Sequence, residues 1–258
     1  MTQNRFTTSA AAIDELYSMN DLADWQAVLS DGMHYHFGHF SGSEDLAAGV
    51  RAAVQRLYAH IPRGARVLDL GCGWGGPAAM LRDEHGCDVV GVTISRAQAA
   101  HSRARGLRVQ QLDMTCDPLP TGCDVVLLME SLEHVEDRAG FLSRLRACAP
   151  RVVFQVNCAR PTSDGATFGG SMRTFTPDQL REDFRVAGWR PTAWQDMRFT
   201  SLRTAALWEE NLRQRFGDAP PGHFAVLGDM LRAIRRNPIA WSLANPLIVG
   251  ATTIEEQD

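Results

Sequence analysis

The chain has 258 residues, of which 45% are hydrophobic and 22% are charged, and its formal net charge is −4. These values describe one large globular domain, or one domain with an added cap, and they give no electrostatic basis for a nucleic acid partner. Every basic residue is arginine, which excludes the Schiff-base and P-loop chemistry that needs lysine.

The N-terminal segment 1–14 is polar and contains no apolar run, so the sequence predicts no signal peptide. No stretch has the length of a membrane-spanning helix, which predicts no membrane insertion. The six cysteines form no C-x-x-C pair, and reduced thiols in a cytoplasmic protein are therefore expected. They are Cys72, Cys87, Cys116, Cys123, Cys148 and Cys158.

The first sixty residues have helical patterns. Apolar residues recur with helical spacing over 11–29, and a glycine- and histidine-rich segment follows at 31–43. Residues 44–60 have the pattern of an amphipathic helix, which Pro62 and Gly64 end. The sequence therefore predicts a helical N-terminal region before the first strand.

From Arg66 onward, strand and helix patterns alternate, with helices at 75–85, 95–105 and 137–148. This alternation predicts a parallel sheet covered by helices, and ligands of such sheets bind at the carboxyl ends of the strands. The predicted strands are 66–70, 88–93, 107–112, 123–129 and 151–156.

The last third of the chain begins with a further helix. Thr176 as N-cap and Gln179 three residues later predict its start, and Gly188 its end. A strand at 189–196 is expected next, then a helical stretch, and finally a strand at 247–253.

The segment Leu68-Asp69-Leu70-Gly71-Cys72-Gly73-Trp74-Gly75-Gly76 is the strongest functional signal. A strand that runs into a glycine-rich turn and then a helix brings bare backbone against a ligand. Asp69 repels a phosphate, whereas Gly71, Gly73 and Gly76 also satisfy G-x-G-x-x-G, the dinucleotide fingerprint. Two cofactor classes therefore remain open at this point.

This segment resembles motif I of the class I S-adenosylmethionine-dependent methyltransferases. Its residues are most similar to those of the branch that contains cyclopropane fatty acid synthases and small-molecule methyltransferases. The resemblance extends over residues 30–197. It implies an α/β fold with a Rossmann-like, seven-stranded, mostly parallel sheet, S-adenosylmethionine as cofactor and S-adenosylhomocysteine as product. The implied regions are an N-terminal helical lid at 1–62, a cofactor-binding core at 63–197, a helical cap insertion at 198–246, and a final strand and tail at 247–258.

The second strand ends at Thr93 with no acid, which counts against a nicotinamide dinucleotide. The stretch from Gly91 to Gln98 resembles the G-V-T-x-S-x-x-Q of the cyclopropane synthase branch, which implies that Thr93 and Gln98 lie on the ribose side. Asp113 suits the adenine amine while Met114 covers the ring; the alternative for Asp113 is an ordinary loop acid. The remaining predicted cofactor contacts are Tyr35, Asp69, Gly71, Cys72, Gly73 and Met129.

The fourth strand is followed by Glu130-Ser131-Leu132-Glu133-His134-Val135, and Glu133-His134-Val135 resembles the E-H-V of the same branch. Glu133 is expected to stabilise a cation or orient a base, and His134 to accept a proton. Glu130 is expected to contact either the substrate or the ammonium group of the cofactor. A purely structural His134 at the strand end is the alternative.

The lid segment, Asp31–Phe40, resembles the lid of this branch and the D-G-x-x-H-H-x-G of prenyl diphosphate C-methyltransferases. The resemblance implies that Tyr35 contacts the cofactor and that His34 or His36 faces the substrate, with His36 catalytic. A purely structural lid is the alternative. The spacing H-x-H-x-x-H also suits a metal, but no C-x-x-C or carboxylate run supports one, and no metal is predicted.

The resulting prediction is methyl transfer to a small molecule, a specialised metabolite, at carbon or at nitrogen or oxygen. Cyclopropanation of an alkene is the alternative, although Phe37 replaces the lid cysteine of that family and only Glu133 remains of its bicarbonate ligands. The sequence is also compatible with a nicotinamide-dependent oxidoreductase and with a catalytically silent binding protein. Oligomeric state stays open, with a homodimer as one option.

Overall fold

The computed structural model describes residues 10–42, 44–159, 166–167 and 172–254. Seven strands form one sheet, in which the last strand of the chain, Leu247–Ile254, runs antiparallel to the other six. The predicted α/β fold with a seven-stranded, mostly parallel sheet is thereby confirmed. The strands of this sheet are β1 Arg66–Leu70, β2 Asp88–Thr93, β3 Arg108–Gln111, β4 Val125–Met129, β5 Arg151–Asn157, β8 Trp189–Asp196 and β9 Leu247–Ile254. Their order across the sheet is β3-β2-β1-β4-β5-β9-β8. Two further strands, β6 Ala166–Thr167 and β7 Met172–Arg173, form a separate pair.

Helices cover both faces of the sheet and its carboxyl edge. They are α1 Ala10–Ser18, α2 Leu22–Leu29, α3 Leu46–Leu57, α4 Gly76–His85, α5 Arg96–Ala104, α6 Arg138–Leu145, α7 Pro177–Val186, α8 Ser201–Phe216, α9 His223–Arg236 and α10 Pro238–Ala244. Short 3-10 turns occupy Tyr58–His60 and Leu132–His134. No described helix is long and apolar enough to cross a membrane.

β4 is apolar throughout and β1 is apolar apart from Arg66 and Asp69, because both faces of these central strands are covered. Successive residues of a strand point to opposite faces, so Val67 packs into one core cluster and Leu68 into the other. All five residues of β4 are buried. Burial on both faces stabilises the sheet. Because β1 pairs parallel with β2 and β4, the carboxyl ends of these three strands lie at one edge.

The predicted elements agree with the structure to within about three residues at most boundaries. Thr176 and Gln179 form the expected capping box at the start of α7. The helical spacing over 11–29 is divided into α1 and α2, because the chain turns at Asp21, whose carbonyl accepts the first bonds of α2 from Asp24 N and Trp25 N at 3.0 and 3.2 Å.

A third apolar cluster joins the N-terminal segment to the α8–α10 helices. It contains Trp25 and Trp74 from one side and Trp208 and Phe224 from the other. Two bonds add to this contact: Gly38 N donates to Thr204 Oγ1 at 2.8 Å, and Asn211 Nδ2 donates to the Val28 carbonyl at 2.9 Å. The lid segment and the α8–α10 helices thus form one layer over the carboxyl edge of the sheet.

Gly49 in α3 lets the lid segment cross this helix. His39 N donates to Gly49 O at 2.8 Å, and a Cβ at Gly49 would lie 2.0 Å from the Phe40 ring. An exposed glycine-to-alanine change in a helix stabilises by about 1 kcal/mol. We expect Gly49→Ala instead to lower the free energy of unfolding by about 1–3 kcal/mol, because the ring must move.

Urea unfolding measures this effect, and Gly228→Ala in α9 is the matched control. There the nearest atom to an added Cβ is the mobile end of Arg232, at 3.3 Å. Equal or higher stability of Gly49→Ala relative to this control would show that the crossing is looser than described.

Candidate active site

The glycine-rich turn forms the floor of a cavity of about 430 Å³, the sheet-edge cavity, at the ends of β1, β2 and β4. Gly71 and Gly73 line it, with φ angles of +77° and +53°. Gly71 N and Cys72 N both donate to Val92 O, at 2.8 and 2.9 Å, which fixes the turn against β2. A Cβ at Gly71 would lie 2.4 Å from Ser131 Cβ, so this position requires glycine.

Polar side chains from the second strand form the next wall. Thr93 Oγ1 donates to Gln98 Oε1 at 2.8 Å, and both residues line the sheet-edge cavity. Gln98 is buried and Ser95 caps α5 by accepting from Gln98 N. The bond from Thr93 fixes the side chain of Gln98 beside Gly73, and the ribose contact expected of the two residues stays a prediction.

The third strand supplies the far wall, with Leu112, Asp113 and Met114. Asp113 Oδ1 accepts from Thr115 N and Thr115 Oγ1, at 2.8 and 2.6 Å, so this carboxylate also holds its own turn. Both roles considered for Asp113 are therefore compatible with its position. An apolar pair flanking a carboxylate suits a flat ring with an amine, as predicted.

Asp69 and Cys72 lie beneath the turn, outside the described walls of the cavity. Neither carboxylate oxygen of Asp69 has a hydrogen-bond partner among the described residues, and burial raises the pKa of Asp69 to about 7. Cys72 Sγ packs toward Gly91, 2.7 Å from where a Cβ there would lie, so only the backbone of Cys72 serves the turn. A buried carboxyl with unused oxygens beside bare backbone suits a ligand that carries an ammonium group.

A second cavity of about 560 Å³, the aromatic cavity, lies between the lid segment, the end of β5 and the α8–α10 helices. Five residues line both cavities, so the two meet at a common wall. The shared residues are Tyr17, Tyr35, Glu130, His134 and Arg173. The apolar lining of the aromatic cavity comes from Phe37, Met172, Trp208, Val226, Met230 and Trp241.

Glu130 is the buried carboxylate of the common wall. Its backbone has φ +52°, a left-handed conformation that costs free energy in any residue but glycine. The carboxylate accepts from Phe37 N at 2.7 Å, from Gln155 Nε2 at 2.5 Å and from Asn157 Nδ2 at 2.8 Å. Burial raises the pKa of Glu130 to about 7, and these three donors oppose the rise.

Glu133 lies in the 3-10 turn behind this wall and lines neither cavity among the residues described. Its Oε1 accepts from Asn157 N at 2.6 Å, while its Oε2 has no described partner. Burial and the charge of Glu130 raise the pKa of Glu133 to about 8. His134, the next residue, lines both cavities. The substrate contact expected of Glu133 stays a prediction, and the residues of this segment that line both cavities are Glu130 and His134.

His34 and His36 are buried in the lid segment and line neither cavity among the residues described. His34 Nδ1 lies 3.1 Å from His36 Nε2, and His36 Nδ1 lies 3.1 Å from Phe37 O. Burial lowers the pKa of His36 to about 4, so this ring is neutral at pH 7. The catalytic role predicted for His36 stays a prediction that no contact with a cavity supports.

Two residues of the site carry no functional signal in the sequence. Tyr17 of α1 lines both cavities, with its ring 6.2 Å from that of Tyr35, although its spacing indicates only a helix face. His223 of α9 lies 2.7 Å from Tyr35 Oη through Nε2. Both come from elements far from the glycine-rich turn in sequence; the folded chain brings Tyr17 to the common wall and places His223 against Tyr35 of that wall.

The buried carboxyl of Glu133 predicts a pH dependence of stability. A carboxyl with a higher pKa in the folded than in the unfolded chain contributes stability below its unfolded pKa, and this is lost as pH rises through the folded value. The pKa of Glu133 rises to about 8, so the wild-type chain should lose stability between pH 5 and pH 9. Glu133→Gln should lose about 4 kcal/mol less over this range.

Urea unfolding of both proteins at each pH measures this difference, and the titrating groups that do not interact with Glu133 cancel between them. The glutamine keeps an oxygen for Asn157 N. Parallel stability curves would show that Glu133 does not become neutral on folding.

The comparisons with known proteins fit this geometry. The chain matches the family model described as a methyltransferase domain over residues 43–204, and it belongs to that family. It is 29% identical over 193 residues to the chloroplastic tocopherol O-methyltransferase of Arabidopsis thaliana, covering 65% of this chain and 56% of that protein. It is 32% identical over 120 residues to the cyclopropane-fatty-acyl-phospholipid synthase of Escherichia coli (strain K12), covering 45% of this chain and 31% of that protein.

A solved structure shares the whole fold. The cyclopropane synthase MmaA2 from Mycobacterium tuberculosis superposes with a TM-score of 0.80 at 18% identity, covering 97% of this chain and 100% of that one. The chain spans somewhat more than half the length of the tocopherol methyltransferases it matches. The methyltransferase family predicted from the glycine-rich motif is confirmed.

Proposed function

We propose that the protein transfers the methyl group of S-adenosylmethionine to a small molecule with a large apolar part, a specialised metabolite. The observation that supports this most is the common wall. A cavity suited to the cofactor and a larger aromatic cavity meet at Glu130, His134, Tyr17 and Tyr35. A reaction between two bound molecules needs this arrangement, because the reacting atoms must meet in line.

The sheet-edge cavity has the groups that the cofactor needs. Gly71 and Gly73 present bare backbone to it, and Leu112 and Met114 flank a flat space. Asp69, whose carboxylate oxygens have no partner among the described residues, lies beneath the turn. Bound there, S-adenosylmethionine supplies an electrophilic methyl group on a sulfonium. Thr93 and Gln98 are proposed to hold its ribose, Asp113 its adenine, and Tyr35 and Met129 its sulfur end.

The chain's own residues then orient the acceptor. The rings of Phe37, Trp208 and Trp241 exclude water and hold the acceptor, and such alignment is worth roughly 7–11 kcal/mol of the barrier. Glu130 presents negative charge at the common wall, where it stabilises positive charge that develops on the acceptor. His134 is proposed to accept a proton. This arrangement favours carbon or nitrogen as the acceptor atom.

The competing functions have less support. A nicotinamide-dependent oxidoreductase would use an acid after β2, where this chain has Thr93, and the family gives it no support. Cyclopropanation of an alkene agrees with the shared fold, but Phe37 lines the aromatic cavity where the resemblance calls for a cysteine. The division into lid, core and cap, the cytoplasmic location and a homodimer remain proposals.

Calorimetry tests the proposed cofactor first. Purified protein should bind S-adenosylhomocysteine and S-adenosylmethionine with micromolar or tighter affinity, and should give no heat with NADH. A panel of apolar amines, phenols and prenylated compounds, followed by mass spectrometry, should then show products one methyl group heavier. Binding of NADH without S-adenosylhomocysteine would reject the proposal.

A further inference from the structure

His34 and His36 form a directed pair of hydrogen bonds inside the lid segment. A carbonyl oxygen only accepts, so His36 Nδ1 carries its hydrogen and donates to Phe37 O, 3.1 Å away. His36 Nε2 then has a free electron pair and accepts from His34 Nδ1 at 3.1 Å. Burial lowers the pKa of both rings, so both are neutral, and the network then assigns the Nδ1–H tautomer to each of them.

The pair has a fixed support. A Cβ at Gly76 would lie 2.8 Å from His34 Nδ1, and a Cβ at Gly32 would lie 2.8 Å from His34 Cδ2. The ring of His34 is therefore packed without spare room against the start of α4, the helix that follows the glycine-rich turn. The position of this imidazole is set by backbone rather than by mobile side chains.

The other end of the pair reaches Glu130. Phe37 O accepts from His36 Nδ1 and from Gln155 Nε2, the latter at 2.8 Å. Phe37 N donates to Glu130 Oε1 at 2.7 Å. The backbone of Phe37 is therefore held on both sides, and its N–H is directed at the carboxylate that both cavities share.

We propose that the His34–His36 pair positions Glu130: it holds the backbone of Phe37 so that this N–H keeps the carboxylate charged and directed at the common wall. The importance of this for catalysis rests on the proposed function. His34 and His36 are positioning residues, since neither lines a cavity. This replaces the direct contact with substrate that the lid resemblance implies for them.

Glu130 depends on its donors because its surroundings oppose its charge. Burial disfavours the carboxylate, and Glu133 behind the wall carries a like charge when ionised. The titratable and charged groups that share the common wall with Glu130 are Tyr17, Tyr35, His134 and Arg173. Burial raises the pKa of Tyr17 and Tyr35, so both phenols are neutral at pH 7. Loss of the Phe37 N–H should therefore weaken the ionisation of Glu130.

Two substitutions of His36 separate its two bonds. Asparagine places an N–H near the position of Nδ1 and keeps the bond to Phe37 O, whereas glutamine reaches the position of Nε2 and keeps only the contact with His34. Side-chain carboxyl ¹³C NMR reads the ionisation of Glu130, whose signal is assigned by its absence in Glu130→Gln. We expect the acid dissociation constant of Glu130 in His36→Asn to lie within about twofold of the wild-type value, and in His36→Gln to be about tenfold lower.

Urea unfolding of each variant accompanies the titration. Equal titration of Glu130 in wild type, His36→Asn and His36→Gln would overturn the proposal. An equal shift of the Glu130 titration in both variants, in proportion to their lost stability, would also overturn it. If His36→Gln does not fold, His34→Asn and His34→Leu test the outer bond: the first keeps the donor to His36 and should retain the wild-type titration, and the second should not.

The NMR measurement needs neither cofactor nor acceptor. If the Glu130 titration differs between the variants as expected but the protein does not bind S-adenosylhomocysteine, the proposed function is rejected and the positioning of Glu130 stands. If the protein binds S-adenosylhomocysteine and is active but the Glu130 titration is the same in every variant, the positioning is rejected and the proposed function stands.

Discussion

Glu130→Gln should lower kcat for methyl transfer by about 10²–10⁴-fold, the range typical for loss of a positioned acid–base or charge-stabilising group. The substitution preserves shape but removes the negative charge from the common wall, and it places an amide against the donors Phe37 N, Gln155 Nε2 and Asn157 Nδ2. The acceptor should still bind in the aromatic cavity, so KM for the acceptor should change far less than kcat.

Release of S-adenosylhomocysteine with an acceptor found in the panel measures this effect. Glu209→Gln is the control, because Glu209 forms an ion pair with Arg235 on the surface of α8 and α9, away from the common wall. A Glu130→Gln enzyme within threefold of wild type would mean that the charge of Glu130 does not assist the transfer.

Gly73→Ala should weaken binding of S-adenosylhomocysteine by about 100-fold, which corresponds to about 2.7 kcal/mol. The nearest atom to a Cβ at Gly73 is Gln98 Nε2 at 3.8 Å, so the methyl group enters the sheet-edge cavity without striking the protein. The chain should therefore fold, with about 1 kcal/mol of strain from its φ of +53°.

Gly86→Ala is the matched control for this change. Gly86 has a φ of +72° and no atom within 4 Å of an added Cβ, and it ends α4 far from the turn. The two variants share the backbone strain, and only one fills ligand space. Calorimetry should show wild-type affinity in Gly86→Ala, and equal affinity in both variants would place the cofactor elsewhere.

The parts of this molecule that could be predicted from the sequence are those set by neighbours along the chain. The strand Arg66–Leu70 and its glycine-rich turn follow from the apolar pattern and from glycine, whose φ values few other residues adopt. The capping box at Thr176 and Gln179 is equally local. These features carried the prediction of fold and cofactor.

The sequence does not predict in this way which residues of the acceptor site line the cavities and which hold them in place. Glu130 and Glu133 are three residues apart, and the 3-10 turn over Leu132–His134 decides which of them lines the cavities. The roles of His34 and His36 depend on Phe37 and Gln155, which lie in separate elements. Such long-range contacts have no periodic signal in the sequence.

A crystal structure of the protein with S-adenosylhomocysteine tests the central claim most directly. We expect the adenine between Leu112 and Met114, the amino-acid end on the turn at Gly71 and Gly73, and the sulfur at the common wall facing Glu130. A ligand bound in the aromatic cavity, or one whose sulfur points away from that wall, would contradict the account.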